Sequence, residues 1–149
     1  MIIYRVAKKE YAGNLKPSGR PARWNTANQE MIYTAQSLSL ACLEIMVHTN
    51  GLLLRTNRFS CVVIEVPETV FVDKLDMKLL PSDYSGQTPY IITQTIGDAW
   101  LNKSAHAVLR VPSAIIPGEF NYLLNPRHND FQSISIIEIK PFTFDTRLK

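Results

Sequence analysis

The chain has 149 residues, enough for one domain that buries roughly two-thirds of its unfolded surface. With 46% hydrophobic and 19% charged residues, its composition is globular and excludes a disordered chain. A net charge of +3, with lysines and arginines scattered, excludes the basic stripe of a nucleic-acid footprint but leaves room for an arginine or two to hold a small anion.

The first residues, Met-Ile-Ile-Tyr-Arg, place the charge after the apolar residues and have no long apolar core, unlike a secretory signal. No apolar run approaches the roughly 18 residues of a membrane span. Cys42 and Cys61 lie in apolar runs and read as reduced thiols. The expectation is a soluble, cytoplasmic protein. His48, His106 and His128, with no paired cysteines, argue against a metal site.

Residues 2–6 form a short β-rich run and the first expected strand. Residues 8–30 are polar, are punctuated by Gly13, Pro17, Gly19 and Pro21, and read as a long loop. That loop ends in Ala22-Arg23-Trp24-Asn25-Thr26. Residues 31–33 read as a short strand running directly into a helix, with Thr34 as N-cap, His48 near its end and Asn50-Gly51 as a left-handed stop. Strands follow at 60–66, ended by Pro67, and at 70–75. Residues 81–86 are a turn-rich connector. Thr88-Pro89 has the form of an N-cap followed by proline in the first turn, opening a helix through Trp100 and Leu101 that Gly97 weakens. Residues 107–111 are a strand, 117–128 are irregular, and 134–140 alternate as a last strand continuing past Pro141 to Phe144. Five or six strands and two main helices, not alternating, predict a single α+β domain over residues 1–149 with a mixed, mainly antiparallel sheet.

The helix spanning 34–48 is apolar almost all round, with Leu40, Leu43 and Val47 on one side and Leu38, Cys42 and Ile45 on another. One polar stripe remains: Ser37, Glu44 and His48. Burying the Glu44 carboxylate costs several kcal/mol unless it is paired, so the expectation is a ligand site or a partner such as His48 or backbone amides. Arg23 beside Trp24 has the chemistry to hold a phosphate through its guanidinium fork; the plainer reading is an arginine stacked on the indole. Tyr33 can stack on a flat heterocycle or simply fill the core. Ser113, after Val-Pro at a strand end, reads on its own as a turn former. Asn121, Asn125 and His128 read as loop polar residues. The chain has no P-loop, Gly-x-Gly-x-x-Gly, Gly-x-Ser-x-Gly or His-Glu-x-x-His motif.

Taken together, Ala22-Arg-Trp-Asn25, Tyr33-Thr34 and Ser37-Leu-x-Leu-Ala-x-Leu-Glu44-x-x-Val-His48 resemble the core signature of the RES domain, a family named for its arginine, glutamate and serine. Gly97-Asp-x-Trp-Leu101, Val111-Pro-Ser-Ala114 and Asn121-Tyr-Leu-Leu-Asn-Pro-x-His128 extend the resemblance over essentially the whole chain. Ala22, where many members have glycine, and Thr26-Ala-Asn28, where a Ser-Pro-Gly type of turn is common, depart from it. The resemblance implies a fold similar to ADP-ribosyltransferase toxins. It also implies the toxin of a bacterial toxin–antitoxin pair, with an Xre-type helix-turn-helix antitoxin as partner and a homodimer within that complex. The implied activity is cleavage of the nicotinamide–ribose bond of NAD+, as substrate and with no separate cofactor, by water, phosphate or a protein group. Two alternatives remain open, an ADP-ribosyltransferase with a specific macromolecular target and a non-catalytic nucleotide-binding module. By resemblance Glu44, Arg23 and Tyr33 are the catalytic set. Arg23 holds a phosphate, Tyr33 stacks on nicotinamide, Ser113 and Asn121 contact the dinucleotide, Arg5 is a second phosphate ligand and His48 supports Glu44.

Overall fold

The computed structural model describes residues 1–56, 58–86 and 90–148. One seven-stranded sheet runs in the order β4-β5-β6-β2-β1-β3-β7. Its strands are β1 (Ile2–Lys8), β2 (Ile32–Ala35), β3 (Phe59–Glu65), β4 (Val72–Lys74), β5 (Val108–Pro112), β6 (Phe120–Leu124) and β7 (Ser135–Phe142). Every neighbouring pair is antiparallel except β4 with β5, so the sheet is mixed and mainly antiparallel as expected.

Local sequence explains this order. β3 reads Phe-Ser-Cys-Val-Val-Ile-Glu, nearly continuous apolar residues suited to burial on both faces, and it pairs with β1 and β7 along its whole length. The edges are guarded differently. β4 is only three residues long, and β7 carries Glu138, Lys140 and Pro141. Between β1 and β2 the pairing shrinks to Tyr4 opposite Ala35, so the sheet is joined there at a narrow seam.

Four helices lie on this frame: α1 (Lys9–Ala12), α2 (Leu38–His48), α3 (Gly51–Leu54) and α4 (Ile91–Lys103). Strand alternation sorts the core by face. Ile3, Ile32, Val62, Ile64, Val108 and Leu124 bury one face. The other face carries two clusters, one under α2 around Val6, Ala35, Leu40 and Met46, and one against α4 around Trp24, Leu101, Leu109, Val111 and Leu123.

Several expectations are corrected. Thr34 is not an N-cap; it pairs with Tyr122 in β2 and its hydroxyl donates to the Tyr122 carbonyl at 2.8 Å. The ladder with β6 holds the chain extended as far as Ala35, and the helix starts three residues later, where the Ser37 hydroxyl accepts the Leu40 amide at 3.1 Å. Ser37 thus leaves the polar stripe and becomes the cap. Asn50-Gly51 is not a left-handed stop, because Thr49 closes α2 in an extended conformation and Asn50 caps α3. Nor is α2 buried all round: only Leu40, Ala41 and Met46 are buried, and Val47 is 54% exposed. The stretch 8–30 contains α1, and the stretch 117–128 contains β6, whose Asn121 interrupts the apolar pattern that would have marked it as a strand. The predicted cap Thr88-Pro89 lies outside the described residues, and α4 is described from Ile91 to Lys103.

Gly97, expected to weaken α4, has a steric reason to be glycine. A Cβ at this position would sit 1.8 Å from the Trp24 carbonyl oxygen and 2.8 Å from its carbon. Gly97→Ala should therefore destabilise the protein even though alanine is the better helix former by about 1 kcal/mol. Overpacking of about 1–3 kcal/mol corresponds to a fall in melting temperature of roughly 3–10 °C, readable by calorimetry; an unchanged or higher value contradicts this contact.

Candidate active site

One face of α4 is cut to hold the loop 22–26. The Thr93 hydroxyl donates to the Arg23 carbonyl at 2.6 Å, and the Gln94 amide donates to the carbonyls of Ala22 and Asn25 at 2.9 and 3.1 Å. One turn on, Gly97 admits the Trp24 backbone, and Asp98 accepts the Thr26 amide at 3.1 Å and the Thr26 hydroxyl at 2.6 Å. Positions 93, 94, 97 and 98 share one face because the spacing is one helical turn. Within the loop, Asn25 is buried and forms an isolated bridge with Ala22, and its side-chain amide donates to the carbonyls of Arg20 and Thr26, each at 2.9 Å.

This loop fixes Tyr33. The Tyr33 hydroxyl donates to Asn25 Oδ1 at 2.6 Å and accepts the Trp24 amide at 3.1 Å. Burial pushes the phenol far above its usual range, opposed by the Trp24 amide and Arg23 and reinforced by the negative charges of Asp98 and Glu44. The hydroxyl is therefore a neutral structural post and not a proton carrier; the ring is what remains available to a ligand.

Arg23 is already engaged. Its guanidinium donates to the Tyr84 carbonyl at 2.6 Å and the Gly86 carbonyl at 3.1 Å, and lies over the Tyr90 ring at 4.4 Å. Tyr84 in turn donates its hydroxyl to the Ser113 carbonyl at 3.3 Å. The turn at 84–86 thus links Arg23 to Ser113, two residues 90 positions apart in the chain by numbering. The stacking partner is Tyr90 and not Trp24, which is buried in the core. Ser113 is buried too, and its hydroxyl accepts the amides of Ile115 and Ile116 at 3.0 and 3.1 Å, holding the turn after β5.

Glu44, midway along α2, is partly exposed. Its Oε1 accepts the Asn121 side-chain amide at 2.6 Å, across from the middle of the sheet, and Oε2 accepts no hydrogen bond from any described residue. The expected partner His48 is exposed in the last turn of α2 and makes no hydrogen bond to Glu44. Asn121 belongs to β6, where it lies between Ala35 of β2 and Val111 of β5. Arg5 alternates with Tyr4 and Val6, which pack in the cluster under α2, so it leaves β1 on the other face, beside Ile3 and Val62. It has no hydrogen bond or ion pair with any described residue, and burial depresses its guanidinium. No group of three or more His, Cys, Asp or Glu side chains among the described residues is placed to hold a metal.

The structure thus gathers Arg23, Tyr33 and Ser113 through one network and sets Glu44 with Asn121 nearby, while His48 and Arg5 stand apart. Sequence reasoning missed Asn25, Tyr84, Tyr90, Thr93, Gln94 and Asp98. The readable signal was the polar pairing of Thr93-Gln94 with Gly97-Asp98 at helical spacing.

The fold is a single α+β domain built on one mixed sheet, and comparison with known proteins defines the family. The RES domain model matches residues 2–145, and the chain belongs to that family. It is 38% identical to a protein of Photorhabdus laumondii named Toxin Res, covering 99% of this chain and 97% of that one. It is 34% identical to a Sphingobium protein named Prs ADP-ribosylating toxin, covering 85% and 79%. Among solved structures, the Mycobacterium tuberculosis MbcT–MbcA toxin–antitoxin complex superposes with a TM-score of 0.73 at 18% identity, over 95% of this chain and 84% of that one, which bears on the fold.

Tyr33→Phe removes one hydroxyl and leaves both Asn25 Oδ1 and the Trp24 amide without their partner. Leaving buried polar groups unpaired costs about 1–3 kcal/mol each. The variant should melt several degrees lower than the wild type while keeping its ring in place; equal melting temperatures would show that the hydroxyl does not hold the loop.

Proposed function

We propose that this RES-family protein is the toxin of a toxin–antitoxin pair and consumes NAD+ by breaking its nicotinamide–ribose bond. The observation that supports this most is Glu44: one carboxylate oxygen fixed by Asn121 at 2.6 Å, the other free of described partners, on the helix that follows the strand carrying Tyr33. When the C1′–N bond breaks, its electron pair leaves with nicotinamide and positive charge builds on the ribose. A fixed carboxylate favours that charge without having to reorganise. Water or phosphate then adds to C1′ and loses a proton. The Tyr33 ring is the surface for nicotinamide to stack on.

Arg23 has a conditional part in this scheme. Its fork faces the 84–86 carbonyls, so a dinucleotide phosphate must displace them or use the two N–H groups they leave, the Nε–H and one on Nη1. Ser113 supports the wall that Tyr84 completes, and its hydroxyl proton is the group it has to offer a ribose.

A second reading has its own support. The name of the Sphingobium relative speaks for transfer of ADP-ribose to a macromolecule, in which case the free oxygen of Glu44 would orient the acceptor instead of water. A module that binds nucleotide without turnover is the third. The partner we propose is an Xre-type helix-turn-helix antitoxin in the cytoplasm, within a complex holding two toxin copies. In its support, the ends of α2 and α3 expose Val47, Leu52 and Leu53 close to Glu44 in the chain, an apolar surface suited to a protein cover. Among the described residues no helix is long and apolar enough to cross a membrane.

Incubating the purified protein with NAD+ and following free nicotinamide, with and without phosphate, tests the proposal. Release by the wild type and a loss of about a hundredfold or more in Glu44→Gln are the expected results. No release by the wild type, or equal release by the variant, overturns it. With labelled NAD+, label retained on a protein or nucleic acid selects the transferase reading. A raised melting temperature without turnover selects the binding module.

A further inference from the structure

Asn121 combines three properties that a filler of the sheet would not need. Its Nδ2 donates to Glu44 Oε1 at 2.6 Å, a short hydrogen bond to a carboxylate formed across 77 residues of chain. Its Oδ1 is buried and has no hydrogen-bond partner among the described residues. Its cross-strand neighbours are Ala35 and Val111, whose side chains offer no donor. Turning the amide over would point oxygen at oxygen, so the carboxylate fixes which way the amide faces. An orphaned buried carbonyl costs about 1–3 kcal/mol, and an apolar residue between Ala35 and Val111 would avoid it.

We propose that Asn121 is a positioning residue: its amide aims Glu44 by holding Oε1, so that Oε2 faces the reacting bond. This rests on the NAD+ reading above and adds to it the residue that sets the geometry of the carboxylate. Glu44 has no other hydrogen-bonding partner among the described residues, so without Asn121 its flexible side chain samples several rotamers on the surface of α2. Because the amide is retained at the expense of an unpaired oxygen, stability and turnover should move in opposite directions when it is replaced.

Two variants test this, each compared with the wild type for kcat, KM and melting temperature. Asn121→Leu keeps the branching at Cγ, with a somewhat larger volume, and removes the donor. The expected result is a kcat lower by about tenfold to a hundredfold, KM changed little and a melting temperature equal or higher. Asn121→Asp places a carboxyl against Glu44. Two carboxyls at this distance share one proton, and only the protonated Asp side chain can donate as the amide did. The variant should therefore be active at acid pH and lose activity as the pH rises to neutrality, where the wild type still turns over. The titratable groups on this face of the packed elements are Tyr33 of β2, Tyr4 and Lys8 of β1, and Cys42 and His48 on α2 itself, all present in both proteins, so they do not create the difference. A wild-type kcat in Asn121→Leu, or a wild-type pH profile in Asn121→Asp, overturns the proposal. If neither variant folds, Asn121 is a structural residue and the proposal is likewise overturned. Should the wild type itself release no nicotinamide, it is the NAD+ reading that fails, which separates the two outcomes.

Discussion

The approach of the Trp24 carbonyl to Gly97 is the contact on which the rest of the site depends. Only a residue without a Cβ lets α4 come this close, and the closeness brings Thr93, Gln94 and Asp98 within reach of the backbone of 22–26. Once the loop is held, Asn25 is oriented and can receive the Tyr33 hydroxyl, and Arg23 is carried to the turn at 84–86. A helix face, a loop, a strand and a second turn are therefore set by one steric condition. Five side-chain hydrogen bonds in the neighbourhood of a single glycine explain why a weak helix former is worth its place there.

Placing the groups this way also divides their labour. Tyr33 has its hydroxyl occupied inside the protein and Arg23 has three of its five N–H groups so occupied, which leaves a ring and two N–H groups for other partners. Glu44 is the opposite case, with a carboxylate oxygen held and the other left over. Arginine and tyrosine side chains prepared by internal hydrogen bonds lose little freedom when a ligand arrives, while the carboxylate retains unused capacity as an acceptor.

The elements with strong local patterns were legible from sequence. β3 could be read from its apolar run, β7 from its alternation, α4 from the Thr88-Pro89 opening before it, and the single α+β domain from the order of elements. Boundaries failed where long-range pairing overrode local preference. Thr34 is a good capping residue, but a ladder with β6 keeps it in a strand, and Ser37 inherits the cap. β6 itself was not legible because its second residue is Asn121, a poor strand former that interrupts the apolar pattern. At the site, the residue types were legible and their partners were not. Nothing near Glu44 in the chain announces Asn121, and His48, the neighbour by helical spacing, turns away into solvent. Conversely, Gly97 was legible as an anomaly, but its meaning required the position of Trp24.

The location of Glu44 and Asn121 follows from how the sheet divides its core. On their face of the sheet there are two apolar clusters, one under α2 and one against α4, and β2 contributes to both, Ala35 to the first and Tyr33 to the second. Asn121 pairs with Ala35 and so lies on the line where the clusters meet. A polar pair in the middle of either cluster would be fully desolvated; on the line between them Asn121 is buried while Glu44 keeps partial access to solvent, with apolar residues of both clusters around them. Such surroundings lower the local dielectric and strengthen the field of one fixed carboxylate, which is what a bond leaving positive charge behind requires. Arg5 leaves β1 on the other face and has a different environment altogether, half-buried and without a counter-ion among the described residues. The seam also accounts for the length of β2: four residues suffice to deliver a ring to one cluster and a methyl group to the other, and the chain then turns at once into the helix that carries the carboxylate back over them.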